Sequence, residues 1–141
     1  LDLHLSDSSS TIKAAIDALV VGGFTNLKEG IDLAKTELDN PGDGHDRLDG
    51  DSPDFMVIIT DGAPNEPGTE TEARNAAASS SLVARAAGVE IFVVGVGTTT
   101  STADYLKMKI VSPPVATHYF DATDYASLGA VLEDLAACQA P

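Results

Sequence analysis

The sequence is poor in basic residues and in cysteine. Lysine and arginine number 8 against 22 aspartates and glutamates, so the formal net charge is -14. That charge argues against binding to nucleic acid or to an anionic membrane surface, and it favours divalent cations or basic partners. One cysteine, Cys138, cannot form a disulfide within the chain; it is either a buried free thiol or half of a bridge to another segment. No apolar run approaches about 18 residues, so the sequence predicts no membrane insertion.

The motifs of several enzyme classes are also missing. The sequence has no G-x-x-x-x-G-K-[ST] phosphate loop, no third glycine at the dinucleotide spacing after Gly95 and Gly97, and no Gly-x-Ser-x-Gly elbow. Its histidines, His4, His45 and His118, have no ligand or triad spacing, and we expect each of them at the surface. No nucleophile–base pair is visible, so the sequence favours a binding module over an enzyme.

Apolar patterns predict an α/β fold. Strict alternation over residues 1–5 predicts a short strand. Continuous apolar runs at 55–60 and 89–96 predict strands covered on both faces, and a third short strand is predicted at 118–120. Apolar residues at helical spacing predict helices, which cover about 11–19, 26–38, 71–87, 103–110 and a final segment entered through Thr123 or Asp124.

The order of these elements predicts the topology. Strands and helices alternate from residue 55 onward, which is typical of a doubly wound, mostly parallel sheet with helices on both faces. We expect one domain over residues 1–141. In such sheets the functional site lies at the carboxyl ends of the strands.

Two segments place oxygen ligands at that edge. Asp61 directly follows the buried strand 55–60, and Thr25 lies in the glycine-rich loop 22–26 that leads into a helix. A hydroxyl and a carboxylate that converge on a sheet crevice suit a hard cation such as Mg²⁺, Mn²⁺ or Ca²⁺. From spacing alone an ordinary interpretation also stands: Asp61-Gly62 is a turn dipeptide, and Thr25 or Asn26 is a helix cap.

The same segments resemble a known family. Gly22-Gly23-Phe24-Thr25-Asn26-Leu27, followed by Glu29-Gly30-Ile31, is similar to the second metal segment of a von Willebrand factor type A (vWA) domain. Val57-Ile58-Ile59-Thr60-Asp61-Gly62-Ala63-Pro64-Asn65 resembles the third. Residues 88–97 resemble the family's next strand, and residues 118–135 resemble its last strand and helix. The resemblance covers nearly the whole chain in the right order.

The resemblance implies a Rossmann-like fold that carries a metal-ion-dependent adhesion site. It implies that Thr25 binds the metal directly and Asp61 mostly through water, while a carboxylate of a partner protein completes the coordination of Mg²⁺, or of Mn²⁺ or Ca²⁺. The implied function is an extracellular or cell-surface adhesion module that is not an enzyme. One alternative is a structural building block of an extracellular filament or matrix, and another, less favoured, is an intracellular subunit that serves an ATPase.

The resemblance fails at the front of the chain. The family's first strand, its Asp-x-Ser-x-Ser loop and the following helix have no counterpart. The pattern Asp7-x-Ser9-x-Thr11 imitates that loop, but it follows an alternating segment and lies too close to Thr25, so we do not favour it as the first metal loop.

The chain is therefore expected to be the C-terminal two-thirds to three-quarters of a vWA domain. We expect an N-terminal segment or a neighbouring chain to complete the sheet between the strands at 1–5 and 55–60. By resemblance, Cys138 pairs with a cysteine in that missing piece.

Overall fold

The computed structural model describes residues 4, 6, 8–20, 23–39 and 54–138. Within these ranges the chain forms three strands and six α-helices. In chain order they are α1 (Ser9–Asp17), α2 (Leu27–Leu38), β1 (Phe55–Thr60), α3 (Glu70–Ala86), β2 (Glu90–Val96), α4 (Thr100–Tyr105), α5 (Val115–His118), β3 (Tyr119–Ala122) and α6 (Tyr125–Cys138). One stretch of π-helix, Leu106–Ile110, continues α4. Of the strand predicted at 1–5, only residue 4 is described.

The three strands form a parallel sheet in the order β1-β2-β3. β1 pairs with β2 from Phe55 opposite Glu90 to Thr60 opposite Gly95, and β2 pairs with β3 from Val93 opposite Tyr119 to Val96 opposite Ala122. Each strand follows its predecessor through helical chain, as parallel pairing requires. The predicted α/β fold with a parallel sheet is confirmed.

Helix boundaries follow local capping. The Ser8 hydroxyl accepts a bond from Thr11 N–H at 3.4 Å, so α1 begins at Ser9 instead of near residue 11. The Asn26 side chain accepts a bond from Glu29 N–H at 3.1 Å and caps α2. After α3, Gly88 has φ +99°, the left-handed conformation that glycine adopts readily and that ends a helix.

Side-chain alternation along the strands divides the core between the two faces of the sheet. One cluster packs Met56, Ile91 and Val93 against α2, α3, α4 and the π-helical turn. The other packs Val94 and Val96 against Ala122, with partly buried residues of α6 alongside. Helices therefore cover both faces, as the apolar runs indicate.

β1 is less covered than the sequence predicts. Phe55 and Ile59 are 42% and 48% exposed, although Met56 is buried. β2 is different, because Ile91 and Val94 are both 0% exposed. The prediction of a strand covered on both faces is therefore confirmed for β2, which lies between two strands and under helices, but not for Phe55 and Ile59 of β1.

His118 corrects the prediction of a surface histidine. It ends α5, is 8% exposed and stacks on Phe92 with the ring centroids 4.4 Å apart. Its Nδ1 lies 3.0 Å from both the Pro114 carbonyl oxygen and the Thr117 hydroxyl. The Phe92 ring therefore buries an imidazole that the sequence gives no reason to place inside. The third strand, predicted at 118–120, covers Tyr119–Ala122, so it begins one residue later and ends two residues later than predicted.

None of the helices in the described ranges has both the length and the apolar character needed to cross a bilayer.

Candidate cation site

The turn at the carboxyl end of β1 exposes Asp61. Thr60 is the last residue of the strand and is buried. Its hydroxyl donates to Gly62 O at 3.0 Å and lies 3.3 Å from Gly62 N–H, from which it can accept. Asp61 lies between these two residues and is exposed. The Thr60 hydroxyl thus fixes the turn, and the Asp61 carboxylate lies at the solvent edge of the sheet where the sequence predicts it.

Thr25 lies against the chain that follows this turn. Its backbone N–H donates to Asn65 Oδ1 at 2.7 Å. Its carbonyl accepts the N–H groups of Asn65 at 3.0 Å and Glu66 at 3.3 Å. Both backbone polar groups of Thr25 are therefore committed to a loop that begins four residues after Asp61. The structure brings the two sequence-predicted segments together, as a shared site requires.

The side-chain hydroxyl of Thr25 is left available. It makes no hydrogen bond within the described part of the chain, and the residue is half-buried. The helix-cap role open to Thr25 or Asn26 belongs to Asn26. With its backbone held and its hydroxyl uncommitted, Thr25 keeps one oxygen that can bind a ligand.

The loop from Asn65 to α3 is anchored at its far end as well. Thr69 and Glu72 form a capping box, in which Thr69 N–H donates to Glu72 Oε2 at 2.8 Å. That amide, followed by the Thr69 hydroxyl, lowers the pKa of Glu72. Gly68 has φ +76°, which strains any other residue, and a Cβ there would lie 2.6 Å from Glu72 Oε2 and would displace that side chain. Asn65 and Thr69 thus fix the loop beside Asp61 at both ends.

The donor types at this edge fit a hard cation, but their number is small. Hydroxyl and carboxylate oxygens are the ligands that Mg²⁺ and Mn²⁺ prefer. Among the described residues, no group of three or more His, Cys, Asp or Glu side chains could hold a metal. Thr25 and Asp61 are only two side chains, so a six-coordinate ion here needs water, another segment of the chain or a partner protein to complete its coordination.

Two further sequence predictions fall at or beyond the described residues. Asp7 of the alternative first metal loop is not described, while the Ser8 hydroxyl lies 3.2 Å from that of Ser10 and 2.8 Å from that of Thr11. These hydroxyls belong to the start of α1. The side chain of Cys138 also lies outside the described part of the chain, so its pairing stays a prediction.

Sequence reasoning overlooked two residues of this edge, Thr60 and Asn65. Both residues belong to the segment 57–65, which resembles the third metal segment of the family. That resemblance was the one signal in the sequence that could have pointed to them. Their contacts had no local signature, because Asn65 bonds to a residue 40 positions away.

Comparison with known proteins agrees with this architecture. The family model of the von Willebrand factor type A domain matches residues 1–134. The pilus adhesin SpaC from Lactobacillus rhamnosus GG has a similar structure, with a TM-score of 0.72 and 15% identity over 92% of this chain and 20% of that one. Manganese-loaded TRAP protein from Plasmodium vivax is similar with a TM-score of 0.56 and 16% identity, over 89% of this chain and 45% of that one.

This chain therefore spans less than half of either of these structures, and at such identities the likeness shows the fold alone. No curated protein matches the sequence. The family model, however, matches residues 1–134 of the 141. The chain belongs to the von Willebrand factor type A domain family.

Proposed function

We propose that this chain is a protein-binding adhesion module that engages its partner through a divalent cation held by Thr25 and Asp61. The observation that carries the proposal is the state of Thr25, whose backbone is tied to the loop after Asp61 while its hydroxyl has no partner among the described residues. The family supports it, and so does the manganese in the TRAP structure with the similar fold. In this proposal a carboxylate of the partner protein completes the coordination of Mg²⁺, with Mn²⁺ or Ca²⁺ as substitutes.

The proposed location is extracellular or at the cell surface, and the proposed role is binding without catalysis. The pilus adhesin SpaC, whose structure is similar, supports the adhesion role by its name. The bound ion would supply positive charge to an edge that otherwise presents the Asp61 carboxylate. Thr25 would hold the ion directly and Asp61 mostly through water.

The test is to titrate Mn²⁺ into the intact protein and to measure the binding by calorimetry, for the wild type and two variants. Thr25→Val removes the hydroxyl and keeps the shape and the backbone bonds, and Asp61→Asn removes the charge. We expect each to lower the Mn²⁺ affinity at least about tenfold. Thr36→Val, at the other end of α2, and Asp104→Asn, exposed on α4, are matched controls that leave the affinity unchanged. Unchanged affinity in both site variants would refute the proposal.

A second candidate function is that of a building block of an extracellular filament or matrix. The observation that favours it is exposed apolar surface along β1 and α1. Phe55 and Ile59 are partly exposed on β1, and Ile16 and Leu19, in and just after α1, are each 60% exposed. A strand from an N-terminal segment or from a neighbouring chain would pair with the edge of β1 that meets no other strand among the described residues, and would cover such surface.

Native mass spectrometry with and without reductant tests this completion of the sheet. We expect the mass spectrum to show this chain associated with further polypeptide. We expect Cys138 to form a disulfide with that polypeptide in an oxidising compartment. A folded, monodisperse species of 14.5 kDa with a free thiol at Cys138 would contradict the proposal. It would also favour Asp7, Ser9 and Thr11 as the first metal loop of a small domain.

A further inference from the structure

Asn65 contacts Thr25 through both its side chain and its backbone. The side-chain oxygen accepts the Thr25 N–H at 2.7 Å, and the Asn65 N–H donates to the Thr25 carbonyl at 3.0 Å. The Thr25 N–H can only donate, which identifies the side-chain atom facing it as Oδ1 and not the NH₂ group. Asn65 thus forms hydrogen bonds with both backbone polar groups of Thr25, the N–H and the carbonyl.

These contacts, together with the bond from Glu66 N–H to the Thr25 carbonyl, join the loop before α2 to the loop after β1. Gly23, two residues before Thr25, has φ +87°, so the backbone on that side has the freedom of glycine. On the other side Asn26 begins α2. A shift of the Thr25 backbone would carry the hydroxyl with it, away from the turn that holds Asp61. The Asn65 contacts oppose that shift from the Asp61 side.

We propose that Asn65 is a positioning residue of the cation site, and that it sets the distance between the Thr25 hydroxyl and the Asp61 carboxylate. This inference rests on the proposed function. Asn65 follows Asp61 by four residues on one loop, and that loop is fixed at its far end by the capping box of Thr69 and Glu72. This anchored loop carries both Asp61 and the Asn65 atoms that bond to Thr25. Its conformation therefore determines the distance between the Thr25 hydroxyl and the Asp61 carboxylate.

If Asn65 only stabilised the fold, its removal would lower stability and leave metal affinity unchanged. Asn65 is exposed, and so is its hydrogen bond to Thr25, so water can replace that bond when the side chain is removed. The loss of stability should therefore be small. Ion binding is more sensitive to geometry, since residues that orient metal ligands typically affect affinity by about 10–100-fold. The inference thus predicts a large effect on metal affinity with a small effect on melting temperature.

The experiment is a double-mutant cycle in the intact protein, with Mn²⁺ alone as the probe. Asn65→Ala should lower the Mn²⁺ affinity about 10–100-fold in the wild-type background. It should cause no further loss in the Thr25→Val background, because there the hydroxyl that it positions is already gone. Asn75→Ala, an exposed asparagine on α3, is the matched control and should leave the affinity unchanged.

Asn65→Asp supplies a second variant that keeps an oxygen able to accept the Thr25 N–H. It should retain the Mn²⁺ affinity, and a loss as large as that of Asn65→Ala would overturn the inference. Two other results would also overturn it: Asn65→Ala within twofold of wild type, or an equal loss in both backgrounds. If Thr25→Val and Asp61→Asn lower the affinity but Asn65→Ala does not, the inference fails alone. If Thr25→Val and Asp61→Asn have no effect, the proposed function fails.

Discussion

We expect Ser112 to stabilise the fold more than a serine in a loop usually does. β3 pairs with β2 only from Val93 onward, so the backbone of Ile91 has no strand beside it on that edge. Ser112 takes the place of the strand: Ile91 N–H donates to Ser112 Oγ at 2.9 Å, and Ser112 N–H donates to Ile91 O at 2.9 Å. Ile91 is 0% exposed and Ser112 is 5% exposed, so water cannot substitute for either bond.

Ser112→Ala removes the acceptor and leaves the Ile91 N–H buried without a partner, while the backbone bond to Ile91 O remains. A buried donor left unsatisfied costs about 1–3 kcal/mol, and we expect the free energy of unfolding to fall by that amount. Urea unfolding followed by circular dichroism measures it as a lower midpoint with an unchanged slope. Ser79→Ala is the control, because the Ser79 hydroxyl is exposed on α3 and bonds within its own helix. A Ser112→Ala midpoint indistinguishable from that of Ser79→Ala would refute the reasoning.

Two further predictions concern backbone conformation and ionisation. Gly30→Ala, in α2 with nothing within 4 Å of the added Cβ, should raise stability by about 0.5–1 kcal/mol, whereas Gly88→Ala at φ +99° should lower it by about 1–2 kcal/mol; the opposite order in urea unfolding would contradict both. Burial raises the pKa of Tyr105 from 10.0 to about 12, against the opposing effect of Arg74, so absorbance titration should show a late phenol that Tyr105→Phe removes. The folded pKa lies above the unfolded one, so this contribution to stability is complete below pH 10.0 and is lost as the pH rises towards about 12.

The elements that the sequence predicts best are those whose signal is local. The apolar runs predict β1 with its observed bounds, Phe55–Thr60, and β2, Glu90–Val96, to within one residue, because successive side chains of a strand covered on both faces are apolar, as in Ile91–Val94. α3 ends one residue before the predicted bound of 87, and Gly88 follows in the left-handed conformation that most other residues avoid. The sequence predicts the third strand at 118–120, whereas β3 covers Tyr119–Ala122, since Asp121 and Ala122 are residue types that strands disfavour.

The features that escaped prediction depend on contacts between distant segments. His118 is buried because the Phe92 ring and the Pro114 carbonyl face it, and neither contact leaves a mark in the sequence around residue 118. The position of Asp61 after β1 follows from the apolar run that precedes it, but the Asn65 contact that joins its loop to Thr25 does not. Topology assigns residues to an edge of a sheet, whereas side-chain hydrogen bonds decide which of them meet.

The negative charge of the chain bears on why the proposed adhesion should require a cation. A net charge of -14 repels a partner's carboxylate, and Asp61 adds to that repulsion at the contact itself. At physiological salt the distant charges are screened beyond about 8 Å, so the local carboxylates dominate at the site. A divalent ion between Thr25 and Asp61 would reverse the sign of that short-range field. On the proposed function, removal of the ion therefore does more than delete one ligand bond, because it restores a repulsion that keeps an acidic partner away.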